Sequence, residues 1–147
     1  MKKKILLIGG ILLIAVMLLL LFSNNVNAAT TYNSEISYEE NYDGTIKVES
    51  ATIPSTINGK PVTEIASSGF QGCQYLKTVT LPSSITEIGS DAFNGCTSLT
   101  SINIPSKVTE IPYWGFQNCS SLKSINLSNI TKINPDAFYG CSSLSSV

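Results

Sequence analysis

The sequence predicts a β-rich α/β solenoid, in which short repeats of strand and helical turn stack on one another. The main observation is an internal period of 23, 23 and 22 residues between copies of one Phe position: Phe70, Phe93, Phe116 and Phe138. Repeats of this length bury their hydrophobic faces only by stacking. We therefore predict about four units of 22–28 residues over residues 53–147, the last of them incomplete.

Four further apolar columns keep the same register, which excludes a chance composition effect. Because these positions recur together, we expect their side chains to point inward and form one core. The columns are Ile65, Ile88, Ile111 and Ile133; Cys73, Cys96, Cys119 and Cys141; Leu76, Leu99, Leu122 and Leu144; and Val79, Ile102, Ile125 and Val147.

Each repeat is predicted to contain two extended segments and one helical turn. The first segment, at residues 76–81, 99–104 and 122–127, ends in the apolar–polar alternation of a half-buried strand. The second is the short motif at residues 108–111 and its copies. A helical turn is expected at residues 90–95, and Asn134 and Pro135 fit the N-cap and first position of another. The Gly or Asn before each Cys predicts a left-handed conformation at Gly72, Gly95, Asn118 and Gly140.

Composition excludes several functional classes. The 147 residues contain nine Lys, ten acidic residues and no His, and every one of the nine Lys-plus-Arg positions is a Lys. An acidic chain without Arg is poorly suited to nucleic acid, whose phosphates require clustered cations. The absence of His removes the commonest general base and zinc ligand. We therefore expect no catalytic residues, no cofactor and no metal.

Residues 1–28 resemble a signal peptide. Three Lys precede an uncharged apolar run at residues 5–22, and small residues suit a cut after Ala28. The run also approaches the minimum length of a membrane span, so an uncleaved N-terminal anchor is the alternative. Both interpretations export the rest of the chain, which predicts a secreted or cell-surface protein.

The repeat motifs resemble a known family. L-x-x-[IV]-x-[IL]-P, V-T-E-I and A-F-x-G-C-x-S-L recur with a period of 23 across residues 53–147 and are similar to the BspA-like bacterial leucine-rich repeat. The resemblance implies a secreted or surface-attached solenoid that functions in adhesion and recognition, with no catalytic residues. Trp114 departs from the pattern, because the equivalent positions hold Ser68, Asp91 and Asp136.

The segment before the repeats is predicted to be a β-hairpin cap. Apolar residues in residues 36–42 and 46–48 flank an Asp43-Gly44 turn motif, and members of the family often begin with a small strand pair. We assign residues 29–52 to this cap. The first repeat also carries five extra residues around Gly59, which predict a turn there.

The four Cys and the repeated Glu residues each allow two interpretations. An exported protein could pair its Cys in three ways, but Cys residues that share one repeat position favour buried thiols. Their spacing along the stack does not suit a metal site. Glu64, Glu87 and Glu110 could form a weak cation site or an acidic stripe, and a solvated ladder of like charges is the favoured interpretation.

Two surfaces are candidates for ligand binding. Solenoids commonly bind on the outward side of their strands, which here carries small neutral side chains: Thr78, Thr80, Ser101, Asn103, Ser124 and Asn126. This pattern suits protein or glycan ligands and also suits simple solubility. Tyr113 and Trp114 form the second candidate, since exposed aromatic pairs often mark contact sites, although the indole could instead cover a neighbouring turn.

Two functions follow as hypotheses. The first is an exported binding or adhesion module whose partner is a host or extracellular-matrix protein or a surface glycan. The second is a non-catalytic targeting module at the N-terminus of a larger surface protein or enzyme. A membrane contact is expected only through an uncleaved N-terminal segment. The sequence stops inside its fourth repeat, so that Ile130, Phe138 and Leu144 would be left without a following unit, and we expect self-association through this open end.

Overall fold

The computed structural model describes residues 3–6, 35–40, 46–57 and 59–146. Within these residues the chain forms short strands joined by turns, and contains no helix. The strands are β1 (Lys3–Leu6), β2 (Glu35–Glu40), β3 (Ile46–Thr52), β4 (Thr56–Ile57), β5 (Lys60–Pro61), β6 (Glu64–Ile65), β7 (Thr78–Thr80), β8 (Glu87–Ile88), β9 (Ser101–Ile102), β10 (Glu110–Ile111), β11 (Ser124–Ile125) and β12 (Lys132–Ile133).

The first strand of each repeat belongs to one sheet. Its order is β1-β2-β3-β7-β9-β11, and the neighbours from β3 to β11 are parallel. The register pairs Ala51 with Val79, Val79 with Ile102 and Ile102 with Ile125, and all four side chains are buried. Because strand side chains alternate between faces, the polar neighbours of these residues point outward. The predicted first strands are therefore confirmed, though they are shorter than the apolar pattern suggested.

The second strand of each repeat forms two separate pairs, β6-β8 and β10-β12, both parallel. Within these pairs Gly89 N donates to Ile65 O over 2.8 Å, and Asn134 N donates to Ile111 O over 3.0 Å. Pro112 occupies the equivalent position in the third repeat and has no N–H to donate. The ladder is consequently interrupted between β8 and β10, which the sequence pattern did not predict.

The predicted helical turns are wrong, and β-turns occupy their place. Asp91 has a φ of 58° and Gly95 a φ of 76°, so left-handed residues interrupt any right-handed helix. The turn amides instead bond to the next repeat, as where Phe93 N donates to Gly115 O over 2.9 Å. The left-handed conformation predicted before each Cys is confirmed, with φ between 59° and 77°, at Gly72, Gly95, Asn118 and Gly140.

Asn134 and Pro135 do not begin a helix. The Asn134 side chain is buried, and its Nδ2 donates to Ile111 O over 2.9 Å and also to Glu110. Asp136, after the proline, has a left-handed φ of 56°. The amide of Asn134 therefore joins the fourth repeat to the third instead of capping its own turn.

The core lies between the two strand ladders, and stacked rings run along its length. The rings of Phe70, Phe93 and Phe116 are stacked at centroid distances of 5.1 and 5.2 Å, with Phe138 at 5.6 Å beyond them. The inward columns are confirmed for the first three repeats, where the Phe, Leu and Ile positions are buried. In the fourth repeat Phe138, Cys141 and Leu144 are half-buried and Ile133 is exposed, and Val147 lies outside the described residues.

The four Cys are free thiols in this core. Each Sγ after the first donates to the Phe carbonyl of the preceding repeat, as from Cys96 to Phe70 O and from Cys119 to Phe93 O, both over 3.1 Å. Burial raises the pKa of Cys96, and it raises the pKa of Cys119 to about 12. Cys96 and Cys119 are fully buried as predicted, whereas Cys73 and Cys141 are only half-buried.

The segment before the repeats joins the solenoid through β3. Strands β2 and β3 pair antiparallel, with an irregularity between Ser37 and Tyr38, and β1 pairs with the other edge of β2. Glu49 is buried on β3 and accepts a hydrogen bond from Lys77 Nζ. This ion pair ties the strand pair to the first repeat, while the predicted Asp43-Gly44 turn lies outside the described residues. The role of the pair as a cap stays a prediction.

Two further predictions concern the N-terminal half: the turn in the first repeat and the signal peptide. The extra residues of the first repeat form the antiparallel β4-β5 pair, with Gly59 at a φ of 72° in the predicted turn. Of the predicted signal peptide only β1 lies within the described residues. Among those residues no helix is long and apolar enough to cross a membrane.

Phe93→Ala should lower the free energy of unfolding by about 3–5 kcal/mol, because it leaves a cavity between two stacked rings. The matched surface variant Ser101→Ala should change it by less than about 0.5 kcal/mol. Urea denaturation followed by circular dichroism measures both. Similar midpoints for the two variants would contradict the inward placement of the Phe column.

Stability should fall as the pH rises above about 8.5, where a Cys thiol in the unfolded chain ionises. In the folded chain the pKa values of Cys96 and Cys119 are raised. The contribution of these thiols to the free energy of unfolding is therefore complete at lower pH and is lost as the same thiols of the unfolded chain release their protons. Urea midpoints at pH 7 and 10 measure the effect, and the double Cys→Ala variant at these positions should show a smaller pH difference. Four reactive thiols in urea without reductant are the control; fewer would reveal a disulfide.

Candidate functional site

The strand face is the outward surface of the parallel sheet, made of Thr78, Thr80, Ser101, Asn103, Ser124 and Asn126. All six side chains are exposed. The strand register places Thr78, Ser101 and Ser124 side by side in one row. Thr80, Asn103 and Asn126 lie two residues further along and form a second row. The structure therefore brings together all six residues that the sequence indicated.

The row of hydroxyls continues at both ends of the predicted set. Ser50 pairs with Thr78 on one side, and Ser146 forms a bridge to Ser124 on the other. Parallel strands lie about 4.8 Å apart, which sets the spacing of the row. Sequence reasoning missed Ser50 because residues 46–52 were assigned to the cap instead of to a repeat-like strand.

A shallow depression of about 440 Å³ lies over the last strands of this face. It is lined by the two rows in the second and third repeats, by Ile102 and Ile125 between those rows, and by Ser146. Asn126 Oδ1 accepts a hydrogen bond from Ser128 N over 2.9 Å, which fixes the orientation of this amide. The depression thus offers hydroxyl and amide groups and no charge to a ligand.

The turn face is the opposite surface, made of the outward side chains of residues 63–70, 86–93, 109–116 and 131–138. Tyr113 and Trp114 lie in its third turn, 47% and 42% exposed. Their ring centroids are 6.0 Å apart and the ring planes are tilted by 52°. The core separates this pair from the strand face, so the two sets of predicted site residues form two surfaces and not one.

Trp114 adopts a backbone conformation that disfavours a bulky residue. Its φ is 55°, and the equivalent Ser68, Asp91 and Asp136 have φ between 56° and 58°. Small polar residues tolerate the left-handed region, whereas a large aromatic residue there is an outlier that costs of order 1–3 kcal/mol. The Trp114 side chain stays 42% exposed, so only part of its surface is buried in return. The third repeat therefore carries an exposed Trp at a position where the fold favours Ser, Asp or Gly.

Acidic side chains are concentrated on the turn face. Residues 53–147 contain five acidic residues, and all of them lie in its segments: Glu64, Glu87, Asp91, Glu110 and Asp136. Glu64 and Glu87 are exposed on paired strands. Of the five Lys in residues 53–147, only Lys132 lies in these segments. The turn face is therefore negative, whereas the strand face is neutral.

Lys132 partly neutralises this surface. Its Nζ lies 3.0 Å from Glu110 Oε1, and the Nδ2 of Asn134 donates to the same oxygen. The hydrogen bonds from Asn134 and Lys132 lower the pKa of Glu110. Because Glu110 is exposed, this local pairing contributes little to stability. It does show that an ammonium group is accommodated on the turn face.

Many other polar groups have structural partners. Thr97, Ser120 and Ser142 lie in one column, and each hydroxyl donates to a backbone carbonyl of the preceding repeat over 3.3 to 3.4 Å. Among the described residues, no group of three or more acidic or Cys side chains is placed to hold a metal ion. The chemistry that the two faces offer is therefore recognition by hydrogen bonding, aromatic contact and charge.

Replacing Trp114 by the residue of its sister turns should stabilise the fold. Trp114→Asp is expected to raise the free energy of unfolding by about 1 kcal/mol, because Asp tolerates the left-handed backbone better. The reverse change in the preceding repeat, Asp91→Trp, should destabilise, since it also removes the hydrogen bond from Asn94. Urea denaturation compares the two variants, and a lower midpoint for Trp114→Asp would refute the strain at this position.

Solved structures provide the first comparison with known proteins. The chain is 31% identical to the T. pallidum leucine-rich repeat protein TpLRR, covering 76% of this chain and 67% of that one, with a TM-score of 0.60. It is 35% identical to a leucine-rich cell surface protein from Faecalibacterium prausnitzii A2-165, covering 75% of this chain and 30% of that one, with a TM-score of 0.59. A leucine-rich repeat protein from Bacteroides capillosus is 27% identical, covers 76% and 91% of the two chains, and gives a TM-score of 0.58.

A family model provides the second comparison. The BspA type leucine-rich repeat region matches residues 34–147 in six copies. The match begins before the first of the four predicted units, so the predicted number of repeats is not confirmed. No match was found among curated protein sequences. The period, the stacked Phe column and the left-handed turns agree with this match. Because the family model covers more than half of the sequence, the chain belongs to the BspA-type leucine-rich repeat family.

Proposed function

We propose that this chain is an exported binding module of the cell surface, which recognises a surface glycan or an extracellular-matrix protein through its strand face and catalyses no reaction. The observation that carries the proposal is the pair of exposed rows on the parallel sheet, centred on Ser101 and Asn103. The rows present hydroxyl and amide groups at a regular spacing. A rigid sheet holds them, which limits the conformational entropy lost when a ligand binds.

The chemistry of the strand face favours a neutral ligand rich in hydroxyl groups over a large protein interface. Protein interfaces usually depend on buried Trp, Tyr and Arg side chains, and the strand face has none of these. Ser, Thr and Asn both donate and accept hydrogen bonds, as sugar hydroxyls do. The shallow depression over Ser101, Ser124 and Ser146 is open enough for an extended chain to lie across it.

The absence of a catalytic role rests on the chemistry of the available nucleophiles. The chain contains no His to activate a hydroxyl. Burial raises the pKa of all four Cys thiols, which disfavours the reactive thiolate. These groups therefore suit a structural role.

The proposal of export rests on the N-terminal sequence and on similarity. Three Lys followed by an apolar run favour translocation. One similar structure is that of a cell surface protein from F. prausnitzii. Fractionation of cells that produce the chain would test the location, and recovery in the cytoplasm would contradict it.

A targeting role within a larger protein is the second candidate. The chain spans 30% of the F. prausnitzii protein and 41% of a similar Bacteroides ovatus protein, at TM-scores of 0.59 and 0.55. In such a protein this segment would bring another domain to the surface that the strand face recognises. The ligand chemistry of the strand face would be the same in both cases.

A glycan and matrix-protein array probed with the full chain tests the binding role. Ser101→Arg places a long charged side chain in the centre of the strand face and should lower the signal on bound spots about tenfold, equivalent to about 1.4 kcal/mol. Ser106→Arg is the matched control, because Ser106 is exposed outside that face. Equal signals for both variants would exclude the strand face as the binding surface. An array on which no spot is bound would argue against the glycans and matrix proteins on it as ligands.

A further inference from the structure

We infer that the turn face is a second docking surface and that its occupant is a cationic segment of a partner polypeptide, with a Lys or Arg side chain held against Tyr113 and Trp114. This inference goes beyond the proposed strand-face function and does not depend on it. The core lies between the two faces, so both could be occupied at once.

The aromatic pair has the geometry of a cation-binding corner. The Tyr113 and Trp114 rings are tilted by 52° at a centroid distance of 6.0 Å, and both are nearly half exposed. A cation placed over either ring within about 6 Å is attracted by the negative π-face, most strongly by Trp. Two tilted rings can contact one ammonium or guanidinium group from two sides.

The left-handed backbone at Trp114 points to a role for this indole other than folding. A φ of 55° disfavours a bulky side chain, and the sister turns hold Ser or Asp at this position. The same turn also differs from its sisters at Pro112: a Cβ at Gly115 would lie 2.9 Å from Pro112 Cγ, so this turn needs glycine close to its buried proline. Backbone outliers of this kind concentrate at ligand sites.

The charges around the pair select a cation. Asp91 and Asp136 hold the turn positions equivalent to Trp114 in the repeats before and after it, and Glu110 lies on the strand that leads into the same turn. These carboxylates attract a basic segment and repel an anionic one. The contact of Lys132 Nζ with Glu110 Oε1 at 3.0 Å is an intramolecular example of the same interaction.

Two other occupants fit the turn face less well. A neutral sugar could stack on Trp114, but it carries no positive charge that the surrounding carboxylates would attract. A calcium ion requires several oxygen ligands converging on one point, whereas these carboxylates are spread over successive repeats. The combination of tilted aromatic rings and carboxylates is best matched by a side chain that carries both a positive charge and an apolar stem.

Fluorescence of Trp114 gives a direct test, since the chain contains one Trp. A decapeptide of alternating lysine and glycine, added to the full chain at low salt, should quench or shift the emission with saturation. Raising the salt to 0.5 M should weaken the binding, because the carboxylates contribute through screened charge. Tyr113→Ser, which introduces the residue of two sister turns, should weaken the binding about threefold to tenfold.

Calorimetry of Trp114→Asp separates aromatic recognition from simple charge attraction. This variant adds a carboxylate, so attraction by charge alone would strengthen the binding of the lysine decapeptide, whereas loss of the cation–π contact should weaken it about tenfold. Tyr75→Ser is the matched control, because it removes an exposed aromatic residue outside the turn face and introduces the residue of its sister repeats. That control should bind as the unmodified chain does.

The outcomes are distinct. Unchanged or tighter binding by Trp114→Asp would overturn the proposal, as would a Trp114 response to chitohexaose or cellohexaose but not to the lysine decapeptide. No response to either probe would also overturn it. Ser101→Arg should leave the affinity for the decapeptide within about twofold of the unmodified chain. The proposed roles of the turn face and of the strand face are therefore tested by different variants.

Discussion

Hydrogen bonding between successive turns is the constraint on which the rest of the structure depends. In the first two turns every second amide donates to the next repeat, as Ser68 N does to Ser90 O over 2.8 Å and Gly72 N does to Asn94 O over 2.7 Å, and Phe116 N and Asn118 N of the third turn do the same. The amides between them close β-turns within their own repeat, as Gly69 N does with Ala66 O. Buried amides require partners, so this alternation satisfies the turn completely only if neighbouring repeats stay in register.

The same register sets the core and the surfaces. Two left-handed residues in each turn, such as Asp91 and Gly95, aim the intervening amides at the neighbouring repeat and direct the Phe between them inward. The Phe rings then stack at about 5 Å, close to the spacing of the strands. The Cys thiols after the first depend on the same register, because each donates to the carbonyl of the Phe one repeat earlier. A change in one repeat is therefore felt by both neighbours.

Sequence periodicity predicted this architecture well because the repeated positions are those that burial controls. The Phe, Leu and Ile columns are buried as predicted in the first three repeats, and the Thr, Ser and Asn rows are exposed as predicted, since one periodic pattern encodes both. The helical turn was wrong because a short run such as residues 90–95 suits a helix locally, while bonding between repeats decides its backbone. Asn134 resembled an N-cap for the same reason: its local context was correct, but its partner, Ile111 O, lies 23 residues earlier.

Other features could not be predicted because they depend on how repeats meet. Pro112 interrupts the second strand ladder because it has no backbone N–H. The equivalent residues Gly89 and Asn134 use this N–H to bond to the preceding repeat. The link from Glu49 to Lys77 requires β3 to lie beside β7, although residues 46–52 precede the four predicted repeats. The position of Trp114 was visible as a departure from the pattern, but its significance required the φ of 55°.

The two faces differ in how strongly the fold restricts the residue types that they can carry. Ser101 and Asn103 face outward on a strand, where many residues are tolerated, so their polarity alone cannot separate binding from solubility. Trp114 occupies a position where the left-handed backbone disfavours a bulky residue, and its side chain is still 42% exposed. A residue that is retained against a local preference is stronger evidence of function than one that agrees with it. The strand face has the regular rows of polar groups, whereas the turn face has the more specific residue. A surface protein that uses both would contact a neutral ligand and a basic partner on opposite sides of one stack.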